Sequence, residues 1–247
     1  MNGPVRISAV SYLNTAPFVH GIRHRLDPSL YELVLDIPAV CAEKLLSGKA
    51  DLGLVPVAVI PLLKAPHIVS DYCIGAEGPV RSVMLYSDVP LDEIRRVLLD
   101  NQSRTSVQLT RVLARELWNI APEWVEAKPG YETGIGGTTA GVVIGDRTFA
   151  LNGKFAYAFD LAEAWQSLTG LPFVFACWVS NTALPAEFLR PFNEALRYGL
   201  SHRAEAAADL DRLPADLGRV NDYLEHCISY ELTEKKKEGL RAFLARL

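Results

Sequence analysis

Short apolar runs that stop abruptly, each followed by a segment with helical spacing, constrain this chain's fold more than any other feature. Val5–Val10 (VRISAV) ends at Ser11-Tyr12-Leu13-Asn14-Thr15-Ala16-Pro17. Tyr31–Ile37 ends at Pro38, which opens a helix with Cys41, Leu45 and Gly48 on its inner side. Asp51–Val55 is stopped by Pro56, and Val80–Tyr86 is a fourth run. Parallel strands need a long crossover, and a helix supplies one. The alternation therefore predicts α/β layering with mainly parallel pairing.

From Pro90 a second series begins. Leu91–Ile94 gives a short helical turn and Arg96–Leu99 a strand. Ser103-Arg104-Thr105-Ser106 then caps a helix with Leu109, Val112, Leu113 and Leu117 on one stripe. Further strands are expected at Gly141–Ile144, Lys154–Ala158 and Phe173–Val179, with a helix over Leu161–Leu168 and Gly170 just past its end. After Asn181 the pattern is almost wholly helical, with stripes at Phe188/Phe192/Leu196/Leu200, Leu224/Cys227/Ile228 and Leu240/Phe243/Leu244/Leu247. Breaks near Tyr86–Pro90 and Val179–Asn181 divide the chain in two. The first lobe is discontinuous, residues 1–88 plus 180–247, and residues 89–179 form an inserted second lobe. Two crossings leave a cleft between lobes, the usual place for a small ligand.

Composition narrows the partners. A net charge of −4 gives no bulk attraction to nucleic acid or anionic lipid, so neither is expected as a partner and any anion must be held by local geometry. Cys41, Cys73, Cys177 and Cys227 are scattered in apolar surroundings without a C-x-x-C, which reads as buried thiols in a reducing compartment. His20, His24 and His67 read as isolated, with no carboxylate or Cys at metal-ligand spacing, and no metal or organic cofactor is expected. The N-terminus lacks a basic, then apolar, leader pattern, and no apolar run approaches the roughly 20 residues of a bilayer-spanning helix. A cytoplasmic location is expected; no oligomeric state is assigned.

Candidate site residues gather where strands end. If Val5–Val10 is a central strand, Ser11, Tyr12, Asn14 and Thr15 lie where open α/β sheets bind ligands. Asn14 or Thr15 would also cap the next helix, whose free N–H groups favour an anion. Asn101–Ser106 repeats the arrangement, so Ser103, Thr105 and Ser106 are either plain capping residues or donors to a carboxylate. Two opposed helix starts across one cleft suit a ligand with two carboxylates, each end contributing about 0.3–1 kcal/mol. Ser82, polar inside an apolar run, is a satisfied core hydroxyl or a cleft donor. The glycine-rich Gly134–Gly141 fits neither phosphate-binding glycine pattern, Asp146 suits ion pairing or capping at least as well as chemistry, and Lys235–Lys237 reads as a solvated face.

The segments VSYLNTAPFVHGI, IPAVCAEKLLSGKADLGLVPVAVI, GPVRSVMLYS, LDNQSRTSVQL, VVIGDRTF, DLAEAWQSLTGLPFVFACW and YLEHCISYELTEKKKEGLRAF together resemble the chorismate dehydratase family of menaquinone biosynthesis by the futalosine route. The resemblance covers nearly the whole chain. It implies a type-2 periplasmic-binding-protein-like fold, two α/β lobes with the ligand cleft between them. It implies conversion of chorismate to 3-[(1-carboxyvinyl)oxy]benzoate and water, with Asn14 and Ser82 as the catalytic donors. Ser11, Ser103, Thr105 and Ser106 would hold the substrate's carboxylates. The residues so assigned include no His, Glu or Lys to act as a base, so the substrate's enolpyruvyl carboxylate is expected to take the proton, with His20 as the protein-borne alternative. One departure stands out: Thr139-Ala140 occupies the place where similar proteins usually carry Asp-Ala. The alternatives are the 1,4-dihydroxy-6-naphthoate synthase of the same pathway and a non-catalytic cytosolic small-anion-binding protein.

Overall fold

The computed structural model describes residues 3–209 and 217–247. In chain order its strands are β1 (Val5–Val10), β2 (Tyr31–Asp36), β3 (Leu52–Pro56), β4 (His67–Ala76), β5 (Val83–Ser87), β6 (Arg96–Leu99), β7 (Glu123–Glu126), β8 (Thr139–Ile144), β9 (Tyr157–Asp160), β10 (Phe173–Ser180) and β11 (Ser229–Glu231). Its α-helices are α1 (Ala16–Arg25), α2 (Pro38–Leu46), α3 (Thr105–Leu113), α4 (Arg147–Leu151), α5 (Leu161–Thr169), α6 (Ala186–Ser201), α7 (Arg203–Ala208), α8 (Leu217–His226) and α9 (Glu234–Leu244). The strands form two sheets, ordered β11-β4-β10-β3-β1-β2 and β7-β6-β8-β5-β9.

The expected mainly parallel pairing gives way to mixed sheets. β1 pairs parallel with β2 and β3, and β6 with β7 and β8. β10 runs antiparallel to β3 and β4, β11 to β4, and β5 to β8 and β9. β5 and β10 reach their sheets from the other half of the molecule rather than over a helical crossover, so the geometry that makes such units parallel does not set their direction.

Sheet membership also differs from the lobe boundaries at residues 88/89 and 179/180. β5 lies in the second sheet and β10 near the middle of the first, so the chain crosses between Ala76 and Val83 and again between Thr169 and Phe173. An apolar run marks a strand but not the sheet that receives it. Val80–Tyr86 becomes a strand only from Val83 because Arg81 adopts a φ of 61°. The strand expected over Lys154–Ala158 begins at Tyr157, and Gly48 lies exposed beyond α2 at φ 72° rather than facing inward. Lys236, expected in a solvated face, is fully buried and donates to the carbonyls of Ser229 (3.0 Å) and Glu231 (2.6 Å).

Aromatic side chains carry the core beneath the first sheet. Trp178 on β10 meets Phe18 on α1 at 5.8 Å and Phe192 on α6 at 5.1 Å, both edge-on. α1 and α6 touch backbone to backbone. A Cβ at Gly21 would sit 1.9 Å from the Ala195 carbonyl oxygen, and one at Gly199 would sit 1.7 Å from that of Pro17. Only glycine fits at either place. All four cysteines are buried and free; burial pushes Cys73 up to about 12, so it remains a thiol. Among the described residues no helix is long and apolar enough to cross a membrane.

Candidate functional site

Parallel strands point their carboxyl ends the same way, and both sheets aim theirs at one cavity. Val10, Pro38 and Pro56 line it at or just beyond the ends of β1, β2 and β3. Ile144, Gly145 and Ser103 line it from the ends of β8 and β6. Open α/β sheets bind ligands at this kind of position. Tyr12, Asn14, Ser82, Thr105 and Ser106 also line it, so of the residues assigned to the site from the sequence Asn14, Ser82, Ser103, Thr105 and Ser106 meet there. The cavity holds about 60 Å³, room for a few waters and far below the roughly 300–1,000 Å³ of small-molecule pockets.

Asn14 and Ser82 both lie beside one hydroxyl. The buried Ser82 Oγ hydrogen-bonds the Tyr223 Oη at 2.7 Å, and the Asn14 side chain is close enough to lower the pKa of the same phenol. Burial pushes the Tyr223 phenol up, so it stays protonated and can donate. Asn14 is further held by Thr15 Oγ1, which donates to its Oδ1 at 3.3 Å, and by Tyr230 Oη, which donates to its backbone carbonyl at 2.9 Å. Neither Asn14 nor Thr15 caps α1: no side-chain cap bond forms at that helix start. The expected cap is absent: the Thr15 hydroxyl is engaged with the Asn14 side chain instead.

The loop's exposed donor finds its partner across the cleft instead. Both carboxylate oxygens of Asp146, just beyond β8, accept from the Leu13 N–H, at 3.2 and 3.3 Å. Burial raises Asp146 to about 6, with the Leu13 bond opposing. Tyr12 Oη donates to Gln102 Oε1 at 2.5 Å, and its ring rests on Gly145, where a Cβ would fall 2.9 Å from the ring edge. Gly145 has φ 68°, a second reason for glycine. These contacts fasten the Ser11–Thr15 loop to the second sheet.

At the start of α3 one polar side chain bonds locally and another bonds distant segments. Ser103 Oγ accepts the Ser106 N–H at 3.0 Å, which is the cap the sequence suggested. Thr105 Oγ1 donates to the Phe175 carbonyl (3.1 Å) and accepts from the Ala58 N–H (3.2 Å). Its proton joins α3 to β10 and its oxygen joins α3 to the turn after β3, so Thr105 on the cavity wall is held by two other segments of the chain. Ser106 is buried on the cavity wall, and Ser103 lines the same wall.

Ser11 is not brought to this cavity. It is exposed and lines a separate one with His20 and His24. His20 Nδ1 there lies 2.7 Å from an Asp209 carboxylate oxygen, so His20 and His24 are not isolated as their sequence context suggested. The carboxylate comes from 189 residues away along the chain, beyond the reach of spacing arguments. Ala140, at the departing Thr139-Ala140 pair, is buried inside β8. Asp100, buried after β6, pairs with Arg147 and accepts from Tyr131 Oη (2.9 Å).

Two site residues escaped sequence reasoning. Asp146 carried a signal, an acid at a strand end, but not its partner. Tyr223 carried none, because a tyrosine on an amphipathic helix reads as core.

A family model described as menaquinone biosynthesis matches residues 5–247. A chorismate dehydratase of Thermus thermophilus is 29% identical over 99% of this chain and 95% of its own length. One from Campylobacter jejuni is 31% identical over 42% of this chain and 47% of its own. Among solved structures, protein AF1704 from Archaeoglobus fulgidus superposes with a TM-score of 0.75 at 15% identity, covering 98% of this chain and 96% of that one. The periplasmic aliphatic sulphonate binding protein SsuA from Escherichia coli superposes at 0.61 and 16% identity, covering 94% and 86%. These likenesses show a periplasmic-binding-protein-like fold, as the sequence implied.

Proposed function

The chain belongs to the menaquinone biosynthesis family, and from that premise we propose that it is a chorismate dehydratase, a lyase that converts chorismate to 3-[(1-carboxyvinyl)oxy]benzoate and water. The observation that carries this reading is that Asn14 and Ser82, the latter bonded to the Tyr223 hydroxyl, line one cavity walled by strand ends of both sheets.

The chemistry asks little covalent help of the protein. The ring C–H beside the enolpyruvyl ether breaks, its electron pair enters the ring, and the neighbouring C–OH bond breaks with loss of hydroxide. Proton and hydroxide leave as water, and the ring becomes aromatic. The protein must orient the ring and stabilise negative charge spreading into the ring carboxylate and onto the departing oxygen. Asn14 and Ser82 are neutral donors for those oxygens, backed by a protonated tyrosine. Ser103 and Ser106, at the start of α3, lie on the cavity wall where the helix's positive end favours a carboxylate from the other side. The cavity wall carries no His, Glu or Lys among the described residues, which favours the substrate's own enolpyruvyl carboxylate as the base. His20 faces the separate cavity.

Incubating purified protein with chorismate, and separately with the cyclic futalosine derivative, tests the reading by product mass. Chorismate that loses one water and becomes aromatic is the expected result. Turnover of the futalosine derivative instead identifies the 1,4-dihydroxy-6-naphthoate synthase. Chorismate bound but recovered intact identifies a binding protein.

A further inference from the structure

The cavity that takes Ser11 has about 230 Å³ and is bounded by α1 and the end of α7. Its polar groups have a geometry that the dehydratase reading does not use. His20 and His24 stand one helical turn apart on α1, and their rings stack with centroids 4.1 Å apart. His24 Nδ1 lies 2.8 Å from the His20 backbone carbonyl oxygen. A carbonyl only accepts, so Nδ1 holds the proton and Nε2 presents a lone pair, the arrangement that second-shell carbonyls impose on metal-binding histidines. Nε2 faces Asp209, at 4.0 Å from the carboxylate oxygen that lies 2.7 Å from His20 Nδ1. The three donor atoms all fall within 4.8 Å of one another.

We propose that His20, His24 and Asp209 bind a divalent cation of the zinc class. Tetrahedral bonds of about 2.0–2.1 Å put neighbouring donors roughly 3.3 Å apart. The separations of 2.7 and 4.0 Å straddle that value, so small side-chain rotations bring the donors to it. The ion takes the place of the proton that His20 and Asp209 share, and its fourth position opens on the cavity. Two imidazoles and one carboxylate suit Zn²⁺, Co²⁺ or Ni²⁺ rather than Mg²⁺ or Ca²⁺, which take oxygen ligands. Arg23 lines the same cavity and opposes a cation, so the affinity expected is micromolar. The bound ion ties α1, which starts just after Asn14, to the end of α7.

The test uses the full chain without a histidine tag, stripped with chelator and titrated with Co²⁺, then with Zn²⁺. The expected results are one equivalent bound, visible Co²⁺ absorption of a four-coordinate site, and competition by Zn²⁺. At about a hundredfold excess over Kd, Zn²⁺ raises Tm by roughly 5–10 °C. His24→Ala, at a half-exposed side chain, and Asp209→Asn each weaken Co²⁺ binding at least about tenfold while far-UV circular dichroism stays unchanged. Absence of binding overturns the proposal, as does an isotherm that neither substitution alters. Chorismate turnover is not read, so this outcome and that of the dehydratase assay are separable.

Discussion

Ser103 bonds within its own turn, whereas Tyr12 and the Leu13 N–H of the Ser11–Thr15 segment, like Thr105, reach other parts of the chain. Both segments join the end of a strand to the start of a helix, and both looked like capping sequences. Ser103 caps α3 and Thr105 straps it to β10. Asn14 leaves α1 uncapped and lies beside a tyrosine on α8, while Tyr12 and the Leu13 N–H reach into the second sheet. A hydroxyl spent on a local cap is fixed by its own turn. A group anchored by distant partners depends on the whole fold for its place. On the dehydratase reading the chemistry sits on the second kind, and the first kind supplies a rigid wall.

The sharpest way to break this contrast is to remove the distant-anchored groups. Asn14→Ala and Ser82→Ala should each lower turnover of chorismate by about 10²–10³, the usual cost of one good oxyanion donor, with the fold intact by circular dichroism. A loss below tenfold in both would make the two segments equivalent.

Next comes the acid that anchors the loop across the cleft. Asp146 is raised to about 6 in the folded protein from an ordinary 3.8. Between those values the folded state holds the proton and the unfolded state does not. Stability from this group is therefore full below about 4 and falls as pH rises to about 6, by at most about 1.4 kcal/mol per pH unit. Urea unfolding at several pH values, compared with Asp146→Asn, should show that decline vanish in the variant. Parallel profiles would mean that Asp146 titrates normally.

Thr105→Val should cost about 1–3 kcal/mol in urea, because the Ala58 N–H loses its acceptor and the Phe175 carbonyl its donor. A hundredfold loss of turnover at unchanged stability would instead make Thr105 a ligand group like Asn14. The smallest effect belongs to Ser103→Ala, about 1 kcal/mol from loss of the α3 cap, read in the same unfolding experiment.

What could be read from the sequence follows the same division. β1, β6, β8, β10, α3 and α5 were legible because each is a contiguous pattern with its own punctuation, down to Gly170 in the left-handed conformation after α5. β4 was missed: HIVSDYCIGA breaks its apolar run at the exposed Asp71. β11 is three residues long and held by Lys236 from α9, so nothing local announces it. The sequence placed Asn14 and Ser82 correctly in a shared cavity, since strand ends and family segments both pointed there. It could not reveal Tyr223, Asp209 or the sheet allegiance of β5 and β10, each settled by parts of the chain far apart.

The bare contact between Gly21 and Gly199 sets a limit on how this molecule can drift. A single methyl at either glycine would collide with main-chain oxygen and push apart the pair of rods on which the Asn14 turn stands. Neither glycine lines the cavity, so the damage from such a change falls first on the frame and only through it on the chemistry.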